Sequence, residues 1–174
     1  LYAIPKLLHL LGDERFSVLL LIWALIGYFS LFDFGVGRAL TYEISQKLHK
    51  PRNVISSYLK AGLLIVFVSA ILGFFLVFGT AEIFVKKYLN ISPLLVPDIV
   101  DAFIVAAIAV IPTTITSGLR GGLEGVNKFR ESNINRAILG VSVFALPLVA
   151  VKFHGVSLSI IAMYLLIARV MVMI

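Results

Sequence analysis

The sequence predicts an all-α fold, a polytopic transmembrane helix bundle, on three observations. Hydrophobic residues make up 60% of the 174 positions and charged residues only 14%, where soluble domains average about 25% charged. A water-soluble chain of this length still exposes much of its surface and has nowhere to hide so much apolar material. The apolar residues also fall in continuous runs close to the ~20 residues that cross a hydrocarbon core, without the alternation of a membrane strand. Finally, the basic residues behind the formal charge of +6 sit in short loops between those runs. That placement is a topology signal and argues against a nucleic-acid partner.

Taken in order, residues 1–11 read as the tail of a first helix. The opening LYAIPKLLHLLG has no initiator Met, basic leader or small-residue cleavage site, and the chain closes on the apolar ARVMVMI. Both ends read as cut inside apolar segments, which predicts a fragment of a longer membrane protein. A second helix is expected over 16–46, carried by the uncharged run from Phe16 to Phe32. The third, 58–81, holds an uncharged run between Lys60 and Glu82; the fourth, 98–120, holds one between Asp101 and Arg120. The fifth, 132–153, has a shorter run between Arg136 and Lys152, long side chains that snorkel to the interfaces. The sixth, 156–174, is interrupted by Arg169. Residues 1–174 are thus read as a single transmembrane bundle.

Orientation follows from the loops. Lys47, Lys50, Arg52 and Lys60 precede the uncharged run of the third helix, and Arg120, Lys128, Arg130 and Arg136 lie between the runs of the fourth and fifth. The opposite side carries Arg15, Lys86, Lys87 and Lys152 beside several acidic residues. Eight basic residues against four predict that the first set of loops is cytoplasmic. The sequon Asn90 to Ser92 falls on the outer side and, followed directly by Pro93, is read as chance.

The polar residues inside the apolar runs are the candidate site. In FSLFDFGVGRAL, Phe29 to Leu40, Asp33 and Arg38 surround Gly35 and Gly37. At 1.5 Å per residue Arg38 lies roughly 33 Å along a helix entered at Phe16, near the cytoplasmic interface. On an unbroken helix Asp33 and Arg38 stand about 140° apart; the two glycines permit a bend, a candidate hinge, that would bring them together. Ser30, Asp33, Gly37 and Thr41 form a small-and-polar stripe that belongs against other helices or water, since an ionised group facing lipid is costly. One reading makes Asp33 a cap, Arg38 a snorkelling end and the glycines packing points; the other makes this helix end the wall of a water-filled cavity.

In the fourth helix Pro112 is a candidate kink. Behind it Thr113, Thr116, Ser117, Arg120 and Glu124 draw a polar stripe down one face. The hydroxyls serve either to satisfy carbonyls freed by the proline or to line a polar path. Arg169 lies about 21 Å into the last helix, where it either snorkels, pairs with Asp33 or meets an anionic ligand; an intramembrane arginine is a functional candidate by default. In the third helix, Ser69 and Gly73 form a small-xxx-small packing signal. No enzyme chemistry stands out. The segment GLRGGLEG lacks the phosphate-loop ending and the dinucleotide spacing, the absence of cysteine removes disulfides and thiolate metal sites, and no cofactor or metal is expected from the dispersed histidines.

The stretches LLGDERFSVL, LFDFGVGRAL and LRGGLEGVNKFRESNINRA resemble the amino-terminal half of the polysaccharide flippases. These Wzx-type, O-antigen-like transporters of lipid-linked oligosaccharide belong to the multidrug/oligosaccharidyl-lipid/polysaccharide exporter superfamily. The resemblance implies two bundles of helices forming a V in the bacterial plasma (inner) membrane, of which this chain is the first. It also implies a transporter, not an enzyme, that flips an oligosaccharide on a polyprenyl pyrophosphate from the cytoplasmic to the outer leaflet for surface polysaccharide biosynthesis. Partners are then membrane lipids, the second bundle of the same chain, and a glycan polymerase or glycosyltransferases. Such a substrate needs cations for its pyrophosphate, polar walls for its sugars and a lateral opening for its tail. Arg38, Arg120 and Arg169 are the expected cations, with Asp33, Thr113 and Ser117 beside them and Gly35, Gly37 and Pro112 as hinges. Two alternatives stand beside this: a multidrug/cation antiporter of the same superfamily, which calls for acidic residues in the cavity, and a non-transporting scaffold of a glycan-assembly complex.

Overall fold

Glycine decides where the first apolar stretch breaks. In the computed structural model, which describes residues 3–29 and 34–173, helix α1 (Ala3–Phe29) kinks at Gly12, with φ 74° and ψ 169°. That conformation is open at low cost only to a residue without a Cβ. A second break follows, where Phe34 and Gly35 have φ of 50° and 78° and α2 (Val36–Ser45) begins directly after them. The continuous helix expected over 16–46 therefore does not form, because two left-handed residues interrupt it. Asp33 and Ser30 lie outside the described residues.

The remaining helices are longer than their apolar runs. Helix α3 (Arg52–Tyr88) has 37 residues, about 55 Å at a helical rise. A 3₁₀ turn (Pro93–Leu95) leads into α4 (Val96–Gly125), which passes through Pro112 without ending. Helix α5 (Phe129–His154) likewise passes through Pro147, and α6 (Leu158–Met173) follows. Among the described residues there is no strand, so the chain is an all-α bundle. Among the described residues, three helical stretches are long and apolar enough to cross a membrane: Arg52–Tyr88, Pro93–Gly125 and Phe129–His154. Helix α6 is apolar but spans 16 residues.

Helix α4 is the axis of the bundle, packed against each of the other five helices. Its buried face is built from Ala102, Ala106, Ala107 and Ala109, all 0% exposed. Small side chains let neighbouring helices approach closely, which is where packing energy comes from when lipid is as apolar as the core. Leu19, Ile22 and Ile26 of α1 and Ile161 and Leu165 of α6 join Phe103 of α4 in one buried apolar cluster. The other side of α3 shows Leu64, Leu72 and Phe75 to the surroundings, the outward face of a helix that is apolar all round.

The segment GLRGGLEG (118–125) gives α4 two glycine faces. A Cβ on Gly121 would stand 2.2 Å from the Gly37 carbonyl oxygen, and one on Gly125 2.8 Å from Ile44 Cβ; this is the seat of α2. A Cβ on Gly122 would stand 2.6 Å from Leu59 Cδ1, and one on Gly118 3.0 Å from Val66 Cγ2; this is the seat of α3. The Thr41 hydroxyl fastens the first seat, donating to the Gly121 carbonyl at 3.0 Å and to the Gly37 carbonyl at 3.1 Å. At the opposite end of the bundle, Asp98 of α4 caps α6. Its carboxylate accepts from the Leu158 and Ser159 amides at 2.8 and 3.2 Å and from the Ser157 and Ser159 hydroxyls at 2.7 and 2.8 Å. A carboxylate from one helix thus satisfies the free donors at the start of another.

Candidate functional site

The chain reverses between α4 and α5 through a local motif. Asn127 takes φ 62°, its amide donates to the Glu124 carbonyl at 3.0 Å, and the Lys128 amide donates to the Leu123 carbonyl at 2.8 Å. This is a Schellman ending with asparagine in the left-handed position where glycine is commoner. The reversal sets the start of α5 beside the end of α4, and the two walls enclose a cavity of about 680 Å³. Ile44, Ile55 and Leu59 close it from α2 and α3, and Met171, Val172 and Met173 from α6. It therefore lies at the end of the bundle that carries the α2–α3 and α4–α5 connections.

Its polar groups come from two helices. Helix α4 supplies Thr116 and Arg120, four residues apart on one face. Helix α5 and the residue before it supply Lys128, Ser132 and Asn135. Ser132 is 1% exposed, and its hydroxyl donates to Glu124 Oε1 at 2.7 Å, tying the two walls together. The site thus joins two cations to hydroxyl and amide groups on one side and aliphatic and methionine side chains on the other. Such a wall suits an anionic group attached to a larger polar and apolar body.

Of the residues picked out from the sequence, Arg120 and Thr116 line the cavity. Arg38 is exposed on α2, Arg169 is half-buried on α6, and Ser117 is half-buried on α4, none of them on this wall. The three arginines are not brought together there. Thr113 is 6% exposed, and its hydroxyl donates to the Ala109 carbonyl at 2.6 Å, as Thr114 and Thr116 donate to those of Val110 and Pro112 at 2.9 and 2.7 Å. These carbonyls follow that of Ile108, the one that loses its helical donor at Pro112, and none of the three bonds goes to it. Gly35 forms the left-handed turn before α2, whereas Gly37 lies buried within α2 against Gly121.

Lys128, Ser132 and Asn135 are functional candidates that the sequence reading missed. Their spacing of four and three residues is a polar stripe of helical period, but which stripe faces α4 depends on the turn at Asn127. Just after α2, Lys47 bonds Glu43 and lies 4.4 Å over the Tyr58 ring. The hydrogen bond to the Glu43 carboxylate raises its pKa above the ordinary lysine value. Among the described residues no group of three or more His, Asp or Glu is placed to hold a metal ion.

No family model matches the chain, and no solved structure matches it. It is 34% identical over 182 residues to a Shigella flexneri protein named "Putative O-antigen transporter", across 97% of this chain and 42% of that relative. It is 36% identical over 72 residues to a Salmonella typhi protein of the same name, across 41% of this chain and 16% of that one. A Yersinia pseudotuberculosis protein named "Putative O-antigen export protein" is 46% identical over 46 residues, 26% of this chain and 10% of the relative. The chain spans less than half the length of these curated relatives. Matched over nearly its whole length, the all-α membrane bundle described above is a homologue of part of the protein named "Putative O-antigen transporter".

Proposed function

We propose that this chain is the amino-terminal bundle of a transporter that flips a polyprenyl-pyrophosphate-linked oligosaccharide from the cytoplasmic to the outer leaflet of the bacterial plasma membrane. The single observation that carries the proposal is the cavity wall on which Arg120 and Lys128 stand beside Thr116, Ser132 and Asn135. Arginine's planar fork and lysine's ammonium suit phosphate oxygens, and the hydroxyl and amide groups suit sugar hydroxyls. The names of the relatives support the same substrate class.

In this reading the cavity end is cytoplasmic, as the basic loops favour. The pyrophosphate enters there, pairs with Arg120 and Lys128, and leaves when this bundle rocks against a second one. Arg38 and Arg169 lie away from the cavity and take the ligand on the face shared with that second bundle, with Asp33, Thr113 and Ser117 along the route and Gly35, Gly37 and Pro112 as points of flexure. The test is transport of lipid-linked oligosaccharide by the full-length protein in proteoliposomes. Arg120→Ala is expected to reduce flipping by at least tenfold, the loss of one charge-assisted pair, and Arg38→Ala and Arg169→Ala to reduce it less. Wild-type flipping by all three would remove the proposal.

A further inference from the structure

Glu124 stands where an anion-binding cavity has no obvious use for it. It lies one helical turn beyond Arg120 on α4, so their side chains share a face, and Lys128 follows four residues later across the Asn127 turn. Ser132, a lining residue that is 1% exposed, donates to Glu124 Oε1 at 2.7 Å. A hydrogen bond to an ionised oxygen is among the stronger kinds, and this one is shielded from water on the serine side. The carboxylate is therefore held behind the lining Ser132, one helical turn from Arg120.

We infer that Glu124 is a built-in counter-anion of this cavity, fixed by Ser132, that weakens phosphate binding enough for the ligand to leave. The inference rests on the reading of the cavity as an anion site and adds the residue that sets its affinity. A transporter must bind strongly enough to admit its ligand and weakly enough to release it. Two cations facing a pyrophosphate in a partly desolvated pocket, with no opposing charge, would favour retention. A carboxylate held in place repels the incoming anion and offsets part of that attraction. When the ligand departs, the same nearby carboxylate offsets part of the positive potential at the cavity wall.

The test is calorimetric titration of the full-length protein in nanodiscs with inorganic pyrophosphate. Glutamine keeps an acceptor for Ser132 while removing the charge, so Glu124→Gln is expected to tighten pyrophosphate binding roughly tenfold, the effect of removing one repulsive charge at a turn's distance. Glu124→Met, which keeps the shape, is the second neutral variant and is expected to shift affinity in the same direction. Glu82→Gln at the other end of the bundle is expected to leave it unchanged. Unchanged affinity in both Glu124 variants, with binding lost in Arg120→Gln, overturns the inference and leaves the anion site standing. If Arg120→Gln also changes nothing, the anion site itself fails and the inference with it.

Discussion

Gly121 shows how much a single hydrogen atom decides in this molecule. A methyl group there would meet the Gly37 carbonyl oxygen at 2.2 Å, and backbone cannot step aside as a flexible side chain can. Gly121→Ala is expected to lever α2 off α4 and to destabilise the protein by about 1–3 kcal/mol, read as a fall in thermal unfolding temperature in detergent. Gly79→Ala is the contrast, since a Cβ there meets nothing within 4 Å, and its stability is expected to hold or rise by a few tenths of a kcal/mol. Asp98 is the polar counterpart. Its four accepted hydrogen bonds hold the first turn of α6, and Asp98→Ala is expected to cost about 2 kcal/mol, measurable in the same assay. Arg120 was legible in the sequence because a cation at helical spacing from Thr113 and Thr116 stands out. The cap role of Asp98 was not, because its partners lie about 60 residues away in the chain and no local pattern joins them.

At the scale of elements, the helices were legible and their joints only partly so. Long uncharged runs give α3, α4 and α5 directly, since nothing but a helix satisfies its own backbone in lipid. Each runs past its apolar stretch because the polar flanks also favour helix, and apolarity marks where lipid ends rather than where the helix does. The breaks depend on φ values that glycine permits without demanding: Gly12 and Gly35 take positive φ, whereas Gly37 does not. The glycines of 118–125 are spaced as two overlapping small-xxx-small pairs, Gly118 with Gly122 and Gly121 with Gly125. That packing signal was present in the sequence, beside the phosphate-loop pattern the segment fails to match. The α4–α5 joint turns on Asn127. A β-branched residue is strained at its φ of 62°, so Asn127→Val is expected to destabilise by about 1–2 kcal/mol and to open the cavity, while Asn127→Gly is expected to be tolerated. Thermal unfolding of the two variants side by side checks it.

For the whole molecule, composition alone announced a membrane bundle, and the described helices agree with that. What composition could not supply was the order of packing, with α4 at the centre, because α3, α4 and α5 are each apolar enough to be either lipid-facing or buried. The candidate site follows from that order: α4 contributes one polar stripe, α5 another, and only their juxtaposition makes a cavity. Orientation is checked independently of substrate. In intact cells, Lys50→Cys is expected to resist a membrane-impermeant thiol reagent added outside, and Lys87→Cys to react with it. The reverse pattern would place the cavity on the outer side.

The length of α3 has one more consequence. Lys60 and Glu82 bracket its uncharged run, about 33 Å apart at a helical rise, close to the thickness of the oily layer alone. Ile55 and Leu59, which wall the cavity, precede Lys60 and so stand at headgroup depth. The chamber is thus a porch beyond the uncharged run of α3; in the function proposed above, a doubly phosphorylated head is greeted there while still wet, its tail lying sideways among the neighbouring acyl chains.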